Sequence, residues 1–315
     1  MGEPVAGSVL VAGSINTDLV GRVRVAPAAG ETVTGQGFAI FGGGKGANQA
    51  VAAARSGANT AMLGAVGRDD FGRQRLADLE AEGISVADVA RVADAPSGVA
   101  IILVEEGGQN RIAYVPSATL TVTSAQAVRA LERVKPRVVL ATLELPPPTI
   151  EALLATARRL GATVVVNATP EPGQARDLAV RADVLVVNET EAVELLGEGW
   201  EHHSWSDTAA ALGALGPRVV VVTLGADGAI VAQDGQVTAL AAPVVEVVDT
   251  TGAGDALCGA LAAWLAAGAS PVEAVRAGVV AGAIAVTRPG AQPSMPRRSE
   301  IDQMMGNASI PAAGS

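Results

Sequence analysis

Aromatic rings are nearly missing from this chain: three Phe, three Trp and one Tyr make up 2% of 315 residues, although 49% are hydrophobic. The interior must therefore be built from Ala, Val and Leu, and a planar base would have to be held by aliphatic packing and main-chain contacts. The single cysteine, Cys258, excludes an intrachain disulfide and fits a reducing compartment. It lies in an apolar helical pattern and reads as a small core residue. The only histidines, His202 and His203, sit together in a polar stretch, with no Cys or third His to complete a zinc site. Cations are outnumbered: Lys and Arg total 22 against 32 Asp and Glu, a net charge of −10. That balance excludes nucleic acid or an anionic membrane as the main partner. The apolar run 256–269 ends at Ser270-Pro271, short of the roughly 20 residues that span a bilayer. Met1-Gly2-Glu3-Pro4 carries no basic leader. The expectation is a cytoplasmic protein.

What is present is an alternation. Short β-branched runs at 9–12, 60–66, 137–143, 163–167, 184–188 and 218–224 read as buried strands. Ala/Leu/Arg-rich patterns at 50–56, 73–82, 150–160, 209–215 and 256–267 read as the helices between or after them. The alternation predicts an α/β fold: a mostly parallel sheet with helices on both faces and ligands outside the carboxyl ends of its strands. Two stretches break the rhythm. Segments 17–40 and 97–115 read as strand, turn and strand, and predict a small antiparallel sheet over the strand ends, a lid inserted in a single domain spanning 1–302. Residues 303–315 have little apolar patterning and are expected to form a flexible tail.

The densest chemistry lies at Asp249-Thr250-Thr251-Gly252-Ala253-Gly254-Asp255, just before the last long apolar helix pattern. The first turn of a helix leaves about four N–H groups free at the positive end of its dipole, so small residues there let an anion approach the backbone. A carboxylate beside an anion cradle makes sense if it faces a hydroxyl whose proton must leave as the oxygen attacks phosphorus. With an ordinary pKa of about 4, Asp255 would be a weak base and proton transfer would come late.

Other candidates fall at strand ends or helix starts. Gly42-Gly43-Gly44-Lys45-Gly46-Ala47-Asn48 loosely fits a dinucleotide fingerprint but lacks the acidic residue about 20 positions on, and Gly46 stands where a Walker loop needs Ser or Thr. It is expected to be a turn before a helix beginning near Gln49, placing Lys45 and Asn48 against a polyhydroxylated ligand. Asn16 and Asp18, spaced by two, point to one side of an extended chain and suit vicinal hydroxyls. As a turn or N-cap pair they would need no ligand. Glu144 ends a strand, either reaching a ligand or solvated. Asn188 and Glu191 could hold magnesium through water, or simply cap a helix. Thr223 and Gly225 offer a hydroxyl and a close backbone approach.

Together these residues resemble the PfkB-type carbohydrate kinases, from Gly13-Ser14-Ile15-Asn16-Thr17-Asp18 through Gly30-Glu31-Thr32-Val33-Thr34-Gly35 to Ala285-Val286-Thr287-Arg288. The resemblance implies ATP-dependent phosphorylation of a primary hydroxyl, with ribose first among acceptors and deoxyribose, fructose or a nucleoside as alternatives. It implies Asp255 as base, with Gly252, Ala253 and Gly254 as anion hole. Asn16, Asp18, Gly44, Lys45, Asn48 and Glu144 fall at sugar-contacting positions. Asn188, Glu191, Thr223, Gly225 and Gly254 fall on the nucleotide and magnesium side. A potassium ion would be bound at Asp249, Thr251, Ala285, Arg288, Gly290 and Ser294, and a homodimer would form through the lid. The chain departs from the family pattern in its third glycine at 42–44, in Pro116-Ser117-Ala118 and in Ala256-Leu257-Cys258. A non-catalytic sugar binder is the reading from another class, against which stands a base that a pure binder has no need of.

Overall fold

The computed structural model describes residues 7–107, 109–169 and 176–307. The chain opens with β1 (Ser8–Ala12), β2 (Asn16–Val23), β3 (Gly37–Gly43), α1 (Lys45–Arg55), β4 (Asn59–Gly67), α2 (Asp70–Ala81) and β5 (Ser85–Val92). It continues through β6 (Gly98–Glu105), β7 (Asn110–Val115), α3 (Ser124–Val134), β8 (Val138–Thr142), α4 (Pro147–Leu160), β9 (Thr163–Asn167) and α5 (Arg176–Ala179). Then come β10 (Val184–Asn188), α6 (Glu189–Leu196), α7 (Trp205–Ala214), β11 (Val219–Thr223), β12 (Ala229–Gln233) and β13 (Gln236–Leu240), before α8 (Ala253–Ala267), α9 (Pro271–Ala285) and α10 (Arg298–Asn307).

The large sheet runs β13-β12-β11-β10-β9-β8-β1-β4-β5. From β11 to β5 every pairing is parallel, while β12 and β13 close one edge antiparallel. The six buried strands expected from β-branched runs are β1, β4, β8, β9, β10 and β11. The antiparallel edge was not foreseen. Strand order leaves β1 in opposite directions, to β4 and β5 on one side and to β8 through β11 on the other. That reversal opens a crevice at the carboxyl ends. Apolar residues on both sheet faces are covered, as by α1, α8 and α9 on one cluster. Fully buried Leu10, Leu140 and Leu185 illustrate the packing, each stabilising by roughly 1.5–3 kcal/mol relative to exposure.

Segments 17–40 and 97–115 supply a second sheet, order β3-β2-β6-β7. It is mixed rather than antiparallel, because β2 and β6 run parallel. Helix α10 continues to Asn307, so residues 303–307 are helical, with Met304 and Met305 packed on the core, instead of belonging to a tail. Residues 308–315 lie outside the described residues. Among the described residues no helix is long and apolar enough to cross a membrane.

Candidate active site

Parallel strands put their carboxyl ends on one edge, and four of them deliver the expected site residues there. After β1 comes Asn16, after β8 comes Glu144, and β10 and β11 end at Asn188 and Thr223, which are register partners.

Against this edge stand the first turns of α1 and α8. Helix α1 begins at Lys45, four residues earlier than expected, with Gly44 as its N-cap. Gly42 and Gly43 are strand residues of β3 rather than a turn. The two helices pack unusually closely: a Cβ on Gly259 would lie 2.4 Å from the Ala52 Cβ and 2.6 Å from the Gln49 carbonyl. Only glycine permits that approach, and it carries the start of α1 onto Asp255. Asn48 Nδ2 donates to Asp255 Oδ2 and Gln49 Nε2 to Asp255 Oδ1, each at 2.9 Å. Gln49 also donates to Asn167 Oδ1 at 3.0 Å. Sequence reasoning missed Gln49; its one signal was a second amide beside Asn48 at the head of an apolar helix.

Asp255 is only 8% exposed, more enclosed than a base facing open space would be. Its surroundings are amides and a cation, not hydrocarbon. Burial pushes its pKa up, and the Lys45 charge and the two amides restrain the rise. The net direction makes it a stronger base than an ordinary aspartate, contrary to the expected weak one. Lys45 acts on three carboxylates, opposing the burial-driven rise at Asp255, Glu144 and Glu191 alike.

Glu144 is half-buried and tied down rather than free at the surface. Its Oε2 accepts from Ser14 Oγ at 2.6 Å, Thr142 Oγ1 at 3.0 Å and Ser14 N at 3.2 Å. Asn16 and Asp18 lie on one side of β2, and their register makes Phe41, Asp18, Ala100 and Tyr114 a single cross-strand row. Burial raises the Asp18 carboxyl to about 6, with Arg75 opposing and Asp255 adding to the rise. Tyr114, also missed, has its hydroxyl beside Glu144, Asn16 and Ser14. Burial first, then the Glu144 charge, push it up to about 12.

At the start of α8, Gly252 takes the left-handed conformation at φ 78, the N-cap that glycine alone adopts without strain. The Ala253 N–H turns back to the Thr250 carbonyl at 3.3 Å, so it is not free for an anion as expected. The neighbouring space is open, since a Cβ on Gly254 would meet nothing within 4 Å. Asp249 ties this loop to the segment after α9: Oδ1 accepts from Thr251 N and Oγ1, and Oδ2 from Gly290 N. Burial alone would raise its pKa; the Thr251 hydroxyl and the two N–H groups outweigh that and hold it below the usual range. The Ala285 carbonyl accepts from Arg288 N, Ser294 Oγ donates to the Ala291 carbonyl, and Arg288 pairs with Glu300.

Asn188 and Glu191 form a reciprocal capping box on α6, the Glu191 carboxylate accepting from Asn188 N at 2.9 Å. Thr223 Oγ1 donates to the Val187 carbonyl, and Gly225 begins a short turn with open space beside it. Among the described residues no three His, Cys, Asp or Glu gather as a metal site.

A buried aspartate at a helix start, open space beside Gly254 and a polar sheet edge lie together, an arrangement suited to phosphoryl transfer. The pattern of the pfkB family carbohydrate kinases matches residues 6–298. The chain belongs to this family. Its members here include a ribokinase of Schizosaccharomyces pombe, 36% identical over 94% of this chain and 96% of the relative. Among solved structures, a ribokinase of Thermotoga maritima superposes with a TM-score of 0.87 at 32% identity, covering 96% of this chain and all of the other. An Arabidopsis thaliana ribokinase complexed with ribose and ATP gives 0.84 at 29% identity over 96% and 99%. The PfkB member described here is thus an ATP-dependent sugar kinase with the ribokinase-like α/β fold.

Proposed function

We propose that this PfkB kinase is a ribokinase, transferring the γ-phosphoryl group of ATP to the primary hydroxyl of ribose. The observation that carries the chemistry is Asp255, held by Asn48 and Gln49 at the mouth of α8. Relatives named ribokinase support the sugar.

In this reading Asn16, Asp18, Lys45, Asn48 and Glu144, with the backbone at Gly44, hold the sugar hydroxyls. Each carboxylate oxygen can accept two hydrogen bonds, so Asp255 keeps an acceptor position beyond its amides. The primary hydroxyl gives its proton to Asp255 as its oxygen bonds to the γ-phosphorus and the bond to the β-phosphate oxygen breaks, releasing ADP. The N–H groups of Gly252 and Gly254 and the Lys45 ammonium offset the charge on the migrating group. Thr223 and Gly225 line the nucleotide side with Asn188. Glu191, a hard oxygen donor with one carboxylate oxygen outside its capping bond, suits magnesium held through water. That ion would supply charge neutralisation at the phosphates.

The donors that positions 249, 251, 285, 288, 290 and 294 would offer are oxygens only, from the Asp249 carboxylate, hydroxyls and carbonyls, and Asp249 already joins Thr251 to Gly290. Such a set suits potassium, which would brace the loop leading to Gly252. Initial rates should be higher in potassium than in sodium after exhaustive removal of potassium; equal rates remove the ion from the scheme. The small sheet exposes Phe38, Ile40 and Ile101 on one face, a surface suited to a second copy in a homodimer. Cytoplasmic residence fits the single, buried cysteine.

The acceptor is tested by measuring ATP consumption with ribose, deoxyribose, fructose and nucleosides. Ribose should give the highest kcat/KM, and a nucleoside preference would overturn the assignment.

A further inference from the structure

Arg75 is only 8% exposed, and a guanidinium is costly to bury unless its donors are matched. It projects from α2, yet its partners are mostly on the small sheet. Nη1 donates to the Phe41 carbonyl at 2.7 Å and lies 3.5 Å from Thr17 Oγ1. Nη2 pairs with Asp78 on its own helix at 2.8 Å.

These contacts surround one residue. β3 is the edge strand of the small sheet, and its outward carbonyls have no ladder partner; Arg75 takes up that of Phe41. Phe41 is the cross-strand partner of Asp18, and Thr17 precedes Asp18 in β2. Two residues past Phe41, the Gly43 backbone lies so close under the Asp18 carboxylate that a Cβ there would sit 2.2 Å from Oδ1. The placement of Asp18 thus depends on where β3 is held. Arg75 holds it.

We propose that Arg75 is a positioning residue for sugar binding: braced on α2 by Asp78, it fixes the base of the small sheet through Phe41 and Thr17 and so sets where the Asp18 carboxylate meets the sugar hydroxyls. This rests on the reading of Asp18 as a sugar contact. The charges that face Asp18 are Arg75 with Asp78 from α2, and Asp255 with its neighbour Lys45 from α8 and α1.

The test measures sugar KM, ATP KM, kcat and the pH dependence of kcat/KM in R75M, R75K and D18N. R75M should raise the sugar KM about tenfold or more while ATP KM and kcat stay within about twofold, the pattern of lost ground-state binding. R75K should fall between, because one ammonium cannot bridge a carbonyl and a carboxylate as the planar fork does. With the positive charge gone, the acid limb of kcat/KM for sugar should move to higher pH in R75M. A lowered melting temperature with wild-type sugar KM and an unmoved limb means a structural role only and overturns the inference. If D18N itself leaves the sugar KM unchanged, the reading of Asp18 falls and the inference with it. If D18N raises it and the Arg75 variants do not, Arg75 alone is wrong. Should R75M not fold, R75K and D78N, which loosens the brace from a more exposed position, carry the same comparison.

Discussion

The two sheets of this kinase are built to opposite standards. In the large sheet, β1, β8, β10 and β11 are buried almost throughout, and the groups at their carboxyl ends are fixed by hydrogen bonds across the chain: Glu144 to Ser14, Gln49 to Asn167 and Asp255. In the small sheet, β7 is exposed along its whole length and β3 along most of it. A base must be preorganised, because misplacement by about 1 Å can cost a hundredfold in rate. A cover need only be ordered when substrate or a second copy supplies the missing apolar contact. In the proposed reading the large sheet's edge carries the transition-state chemistry and, through Glu144, part of the sugar contacts, while the small sheet adds Asp18 and closure.

The sharpest way to break it is Asp255→Asn. The isosteric amide keeps the shape between Asn48 and Gln49 but removes the proton acceptor. It should lower kcat by about a thousandfold or more while sugar binding, measured calorimetrically, is largely retained. Near-normal turnover would put the base elsewhere.

The same contrast explains what could be read from the sequence. Strands buried on both faces appear as continuous β-branched runs, so β1, β4, β8, β9, β10 and β11 were legible, and the glycines and aspartate at 252–255 announced the helix mouth. Gln49 and Arg75 were not legible. Gln49 reaches Asp255 across 206 positions of chain, through a helix contact that depends on Gly259. Arg75 looks like any charged residue of a surface helix until β3 is seen lying over it. The early start of α1 was hidden because glycine and lysine carry no helical periodicity, and residues 303–307 because beyond the buried Ile301 the helix offers only Met304 and Met305 to the core.

Asp18 sharpens the comparison from the small sheet's side. Its folded pKa of about 6 exceeds the ordinary 3.8, so the native state binds more protons than the unfolded chain between those values. Stability contributed by the group is present below about pH 3.8 and lost as pH rises through 6. Above that the buried charge is a net cost, burial being the largest cause. Asp18→Asn should therefore stabilise the free enzyme at neutral pH by on the order of 1 kcal/mol, with no gain at pH 4, while raising the sugar KM. Thermal unfolding at the two pH values checks the first part and initial rates the second. A variant destabilised at pH 7 would show that Arg75 offsets more of the burial cost than the direction of the shift implies.

The smallest effect on the monomer belongs to the outer face of β3. Phe38 and Ile40 are 68% and 50% exposed on the same face, with Leu19 and Ile101 continuing the row behind Ile40. Exposed side chains of this kind leave stability within about 0.5 kcal/mol when replaced. The double change Phe38→Ser with Ile40→Ser should leave the melting temperature of dilute protein nearly unmoved and kcat with saturating ribose within about twofold. If the small sheets of two copies cover one another, light scattering should report a dimer that the double variant converts to monomer, with a higher sugar KM because the cover is less ordered. A wild-type monomer would mean that closure draws on substrate alone. A large loss of monomer stability would mean that this face packs against its own chain, and that the two sheets differ less than their burial indicates.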